Sequence, residues 1–265
     1  MTYGIILLYY KNYTYRALTT FKSLLDSIDK NNHIIIVSNN SEIEKINIQN
    51  SVWITGDNTQ AEFSGWTSGL NSIKEKKDND TYIFANDTFC HHNPWGRYEQ
   101  LMFQRTFKKI VYKNKKKPFK CLSGTTQGTK KKFTLLNLPF QRWVSSYLFL
   151  ITNPLLIDFK YSLYMEGDTF EKMVFTKNNH IEFSNRYISV DLSSHIQSWM
   201  FPATGENGWY NSNISLEKKV FKVRSILNEK YISAFAKNKN AKIIEIDIIK
   251  KVRLKMSPLK KIISK

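Results

Sequence analysis

The stretch Thr81-Tyr82-Ile83-Phe84-Ala85-Asn86-Asp87-Thr88 decides how this chain is read. An apolar, aromatic and β-branched run stops at Asn86-Asp87-Thr88, and Phe89, Cys90, His91 and His92 follow before Asn93-Pro94. That is the pattern of a buried strand whose carboxyl end opens into a polar loop. In open α/β sheets, ligands bind at the carboxyl ends of strands. Asp87, between an amide and a hydroxyl, fits two roles. It either caps its own turn, or it serves a divalent cation or the ribose and phosphates of a nucleotide.

The segments before it favour the second role. Residues 3–10 are continuously apolar, as in a strand buried on both faces of a parallel sheet. Ala17, Leu18, Phe21, Leu24, Leu25 and Ile28 then recur at helical spacing over 16–28. A second strand over 33–37 ends in Ser38-Asn39-Asn40, and a short helix is expected over 41–48, with Ser41 and Glu44 as a capping box. A third strand, 51–55, ends in Gly56-Asp57-Asn58; a helix over 62–76 is entered through Gly65 and carries Trp66, Leu70 and Ile73. With 81–85 the order is β-α-β-α-β-α-β, a Rossmann-like half. Right-handed crossovers bring the three polar ends, Asn39-Asn40, Asp57-Asn58 and Asn86-Asp87, to one edge of the sheet. No Gly-x-Gly-x-x-Gly opens the first helix and no Gly-Lys-Ser/Thr loop is present, which argues against a dinucleotide enzyme and an ATPase.

Beyond residue 90 the pattern changes. A helix is expected over 98–112, a basic loop over 113–118, and a strand over 119–124 ending in Gly124-Thr125-Thr126-Gln127-Gly128. Residues 143–150 fit a strand or a buried helix, since periodicity does not decide between them. A helix over 164–175 is entered through Glu166-Gly167-Asp168; 178–185 reads as a break, 187–192 as a short strand and 194–213 as an ordered loop. Residues 216–236 form a long amphipathic helix, followed by an apolar stretch over 242–249. The expected division is 1–192 as the main α/β domain and 193–265 as a loop, helix and basic tail packed on it.

A hydrophobic share of 42% in 265 residues is enough for one substantial core. Cys90 and Cys121 are too few for a disulfide framework and lack zinc-site spacing, which fits a reducing compartment. No secretory leader is expected, because the apolar run 5–10 is short and lacks a basic start. No run of about 18 apolar residues exists, so no membrane-spanning helix is expected. The net charge of +18 points to nucleic acid, anionic lipid or phosphorylated substrates, unless it only reflects a bias toward Lys, Asn and Ile codons. It concentrates in 108–120, in Lys130-Lys131-Lys132, and in the acid-free tail from Ile249 to Lys265.

On these residues the chain resembles glycosyltransferases of the GT-A fold, in particular the bacterial family-two-like enzymes that build surface polysaccharides such as capsule and lipopolysaccharide O-antigen. Asp57-Asn58, Glu62-Phe63-Ser64-Gly65-Trp66 and Gly69-Leu70-Asn71 are similar to the segment those enzymes place against the nucleotide. Phe84-Ala85-Asn86-Asp87-Thr88 stands where the family has its metal-binding Asp-x-Asp, and Arg142-Trp143-Val144-Ser145-Ser146-Tyr147-Leu148-Phe149 resembles the strand after the sugar-binding loop. Trp199, Gly208-Trp209-Tyr210 and the helix over 222–233 resemble the C-terminal part of members acting on lipid-linked or polysaccharide acceptors.

The resemblance implies a mostly parallel mixed sheet flanked by helices, with a C-terminal helical extension. It implies an inverting transfer of a sugar from a nucleotide-sugar to a glycan or lipid-linked acceptor. Asn39, Asp57, Asn58, Gly65, Trp66, Asn86 and Asp87 would hold the nucleotide-sugar, although Trp66 at helical spacing also fits a core role. Mg²⁺ or Mn²⁺ would sit on Asp87. Asn86 replaces the family's first aspartate, however, which leaves a single carboxylate, and Lys or Arg near the diphosphate would then carry the charge. Either Glu166 or Asp168 would be the catalytic base; for Asp168 a helix N-terminal charge is an equal alternative. His91, Trp143, His195 and Trp209 would meet the acceptor or diphosphate. His91 and His92 are adjacent, point to opposite faces and do not share a metal. The protein would be cytoplasmic, docked on the anionic inner face of the cell membrane through 249–265, unless that tail is merely solvated. Two other classes stay in view: a basic nucleic-acid-binding α/β protein, which lacks any recognised binding signature, and a catalytically inactive GT-A-like assembly partner.

Overall fold

The computed structural model describes residues 1–178, 180–201 and 214–246. The elements in chain order begin with β1 (Thr2–Leu8), α1 (Thr14–Ile28), β2 (Asn32–Ser38), β3 (Ser51–Thr55), β4 (Thr59–Ala61), α2 (Glu62–Asn71) and β5 (Thr81–Asn86). There follow α3 (Arg97–Lys116), β6 (Cys121–Leu135), β7 (Leu138–Thr152), α4 (Asn153–Asp158), α5 (Thr169–Met173), β8 (Val174–Lys177) and β9 (His180–Phe183). The chain continues with α6 (Val190–Met200), α7 (Leu216–Asn238) and β10 (Lys242–Glu245).

The main sheet runs β10-β6-β7-β5-β1-β2-β3. β1 is parallel to β2 and β5, β2 to β3, and β10 to β6; β7 alone runs against its neighbours β5 and β6. This is the mostly parallel mixed α/β sheet that the sequence led one to expect. The register sets Leu7 beside Asn86, Leu8 beside Ser38 and Ser38 beside Thr55, so the polar strand ends do share one edge.

Strand alternation divides the core. Ile6, Leu8, Ile83 and Ala85 face a cluster containing Phe21, Phe103 and Phe107 of α1 and α3. Ile5, Leu7, Tyr82 and Phe84 face the other side, with Phe63, Trp66 and Leu70 of α2 and Ile232 and Ala236 of α7. Helix α2 lies close on the sheet because it carries glycine at the contact: a Cβ on Gly65 would stand 2.1 Å from Leu7 Cδ1. A third cluster joins the outer part of the β6–β7 hairpin to α5, α6 and α7 through Phe133, Trp143, Leu192, Ile196 and Leu227.

Several local expectations are corrected. Residues 41–48 form no helix; Ile46 and Ile48 pack on the core in irregular chain, and the Ile46 carbonyl accepts the Trp53 Nε1–H at 3.1 Å. Helix α2 ends at Asn71, and Gly65 lies inside it rather than at its entrance. The 119–124 strand runs on to Leu135 as half of a hairpin, and 143–150 is strand within β7. Only Thr169–Met173 of 164–175 is helical, because the chain turns at once into β8, which pairs with β9 across the expected break. The expected strand 187–192 is a single bridge at Ile188 before α6 begins. Leu192, Ile196 and Met200 recur every fourth position and are buried, so the start of the expected loop 194–213 is helix. Residues 202–213, with Trp209, and the basic tail from residue 247 lie outside the described residues. No described helix is long and apolar enough to cross a membrane.

Candidate functional site

A cleft of about 380 Å³ opens where β1, β3 and β5 end. Tyr9 and Tyr10 follow β1, Asn58 follows β3, and Asn86, Asp87, Thr88 and His92 follow β5; Lys218, Phe221, Lys222 and Ser225 of α7 form the facing wall. Asp87 is 1% exposed, and its Oδ2 accepts the backbone N–H groups of Tyr9 at 2.7 Å and Tyr10 at 2.6 Å. Burial pushes its carboxyl pKa up, against the lowering effect of those two bonds and of His91 and His92. Thr88 Oγ1 donates to Asn86 Oδ1 at 2.7 Å. Asp87 thus holds the turn after β1 rather than its own turn, and it lines the cleft.

That geometry does not fit a resident divalent cation. One carboxylate is present where two are expected, it is bound to two backbone donors, and the neighbouring amide oxygen accepts Thr88. Among the described residues, no group of three or more His, Cys, Asp or Glu is placed to hold a metal ion.

The other strand ends mostly shape loops. Asn39 Nδ2 donates to Asn58 Oδ1 at 3.1 Å, tying the ends of β2 and β3, and Asn58 is the member that reaches the cleft. Asp57 is exposed and accepts Thr59 N at 3.0 Å and Thr59 Oγ1 at 3.1 Å; the first of these bonds, ahead of opposing burial, lowers its pKa. It is a turn residue. Trp66 is fully buried among Phe63, Phe84 and Phe149, and its Nε1–H donates to Ala85 O at 2.9 Å, so it is core and not a nucleotide contact. Gly65 contributes close packing beneath Leu7. His91 stacks on Tyr13 at 4.0 Å, and it is His92 that lines the cleft.

A second cavity, about 350 Å³, adjoins the first and shares Glu62, Lys222 and Ser225 with it. Trp143 and His195 line it, together with Ser146, Trp199, Glu229 and Lys230. Glu62 thus stands where the two cavities meet. It opens α2 after a loop in which Asn58 (φ 56°) and Ala61 (φ 52°) are both left-handed, a strained approach of the kind found at functional sites. Ser225 Oγ lies 3.1 Å from both Glu62 oxygens and donates to that carboxylate. Glu166 and Asp168 lie elsewhere: both are exposed, neither lines these cavities, and Asp168 pairs with Lys172 at 2.9 Å.

Glu62 and the α7 wall were not singled out as site residues from sequence. A signal was present: Lys218, Lys222, Ser225 and Glu229 fall at i, i+4, i+7 and i+11, on one face of the long helix.

No protein-family model and no curated protein matches the sequence. Among solved structures, the bifunctional IspDF of Campylobacter jejuni is similar at 12% identity and a TM-score of 0.37, over 60% of this chain and 42% of that one. The 2-C-methyl-D-erythritol 4-phosphate cytidylyltransferase (IspD) of Francisella tularensis is similar at 12% identity and a TM-score of 0.27, over 58% of this chain and 71% of that one. The chain therefore spans less than half the length of the bifunctional protein.

Proposed function

We propose that this protein is a glycosyltransferase that moves a sugar from a nucleotide-sugar to a glycan or lipid-linked acceptor, with inversion. The observation that carries this is the position of Glu62 between two adjoining cavities, one at the polar strand ends and one beneath α6 and α7. The first cavity takes the nucleoside diphosphate, with Asn58, Asn86 and the β5–α3 turn on one side and Lys218 and Lys222 on the other. The second takes the acceptor.

In the transfer, Glu62 removes the proton from the acceptor hydroxyl as its oxygen attacks the anomeric carbon. The bond from that carbon to the diphosphate oxygen breaks, and the nucleoside diphosphate leaves with the negative charge. Lys218 and Lys222 stabilise that charge in place of a resident metal. Ser225 orients the Glu62 carboxylate by its hydrogen bond. The resemblance to surface-polysaccharide enzymes supplies the biological setting of this proposal, and membrane docking through 249–265 remains part of it.

Thermal-shift measurements with UDP, GDP, CMP and dTDP, each with and without Mn²⁺, test the donor site. The expected result is a rise in Tm with one nucleoside diphosphate that does not depend on Mn²⁺. No shift with any of the nucleotides refutes a nucleotide-sugar donor. A shift that appears only with Mn²⁺ refutes the metal-free leaving-group arrangement.

A further inference from the structure

The second cavity holds a lysine that the proposed transfer does not use. Lys230 lies on α7 and is 4% exposed, yet it lines the cavity. Its ammonium stands 4.2 Å from the centre of the Trp143 ring. Among the described residues it has no hydrogen bond and no carboxylate within ion-pair distance. Trp143 of β7, whose ring the ammonium covers, has a buried indole N–H without an acceptor. An unpaired buried ammonium is costly unless a partner completes it. The cost is visible in its acidity: burial, with Lys222 adding to it and Glu229 opposing, lowers the Lys230 pKa to about 8.

The rest of the lining selects the partner's chemistry. Trp143, Trp199 and His195 offer ring surfaces of the kind that pack against a sugar. Glu229 Oε2 accepts Ser146 N and Ser146 Oγ, both at 2.8 Å, so this acid is held toward β7, and it is not an ion-pair partner of its neighbour. Glu62 and Glu229 balance Lys222 and Lys230 in formal charge, but each carboxylate already accepts a serine hydroxyl, and Lys230 is the cation with no hydrogen bond among the described residues. From these contacts we infer that the second cavity binds an anionic sugar, its carboxylate or phosphate received by Lys230. This rests on the proposal that the cavity is the acceptor side, and it narrows that acceptor to an acidic glycan.

The test compares binding of glucuronic acid, glucose 6-phosphate and glucose to the full chain, by calorimetry or ligand-observed NMR, for wild type and Lys230→Met. One or both anions are expected to bind about tenfold or more tightly than glucose, as a charge-assisted hydrogen bond implies, with the better anion identifying carboxylate or phosphate. Lys230→Met is expected to remove that preference and leave the nucleotide thermal shift in place. Equal binding of all three sugars, or a preference that survives in Lys230→Met, overturns the inference. Should the variant fold poorly, wild type alone decides. The groups facing the cavity are Glu62, His195, Lys222, Glu229 and Lys230, and burial and Lys230 hold His195 below its usual pKa. Binding of glucuronic acid is therefore expected to weaken as pH rises through about 8, and a pH-independent affinity overturns the inference. A retained anion preference with no nucleotide response refutes the donor site alone; a nucleotide response without anion preference refutes the anion site alone.

Discussion

The two adjoining cavities differ in how their polar groups are employed. On the strand side, the groups hold each other: Asp87 holds Tyr9 and Tyr10, Asn39 holds Asn58, Asp57 holds Thr59 and Thr88 holds Asn86. On the helix side, in the second cavity, Lys230 has the Trp143 ring but no hydrogen bond or carboxylate, and the Trp143 indole N–H has no acceptor, among the described residues. The strand side is a rigid frame whose chemistry is largely internal, and the helix side keeps groups in reserve for a ligand. Glu62 belongs to both, because it starts α2 on the strand side and is held by Ser225 of α7.

The sharpest way to break this contrast is Glu62→Gln. If Glu62 is the base, turnover falls by about 10²- to 10⁴-fold while Tm stays within a few degrees, as measured by a glycosyl-transfer assay and a thermal melt. Retained turnover removes Glu62 from the chemistry. Asp87→Ala addresses the frame. It takes the acceptor from two backbone N–H groups beside a residue that is 1% exposed, and urea denaturation is expected to show a loss of about 3 kcal/mol. A loss near zero means that the frame does not depend on Asp87.

The third prediction concerns the reserve. Lys230 has a folded pKa of about 8 against an ordinary value of 10.5, so between those values the unfolded chain binds more protons than the native one. Stability contributed by this group therefore rises as pH climbs from about 8 toward 10.5, by about 3 kcal/mol. Lys230→Met is expected to abolish that slope in urea melts taken across the range. An unchanged slope assigns it to other groups.

Some of the site was legible in the chain. Asn86 and Asp87 end a run with the pattern of a buried strand, and their place at the sheet edge follows from parallel crossovers. For Trp66, helical spacing favoured the core, where the structure puts it, and only the resemblance drew it toward the nucleotide. Glu166 and Asp168 looked catalytic by their place in the order of elements, but the turn that carries them is exposed and away from both cavities. Glu62 was hidden for the opposite reason: its setting is made by Ser225, 163 positions later.

By itself the sequence determined the parallel half-sheet, the shared edge of its polar strand ends and the long C-terminal helix, since hydrophobic periodicity and crossover handedness are local or short-range constraints. The tertiary structure alone decided which polar residues face one another across the cleft. That depends on how α7 packs against α2 and β7, and residues far apart in the chain meet there only after the core has closed.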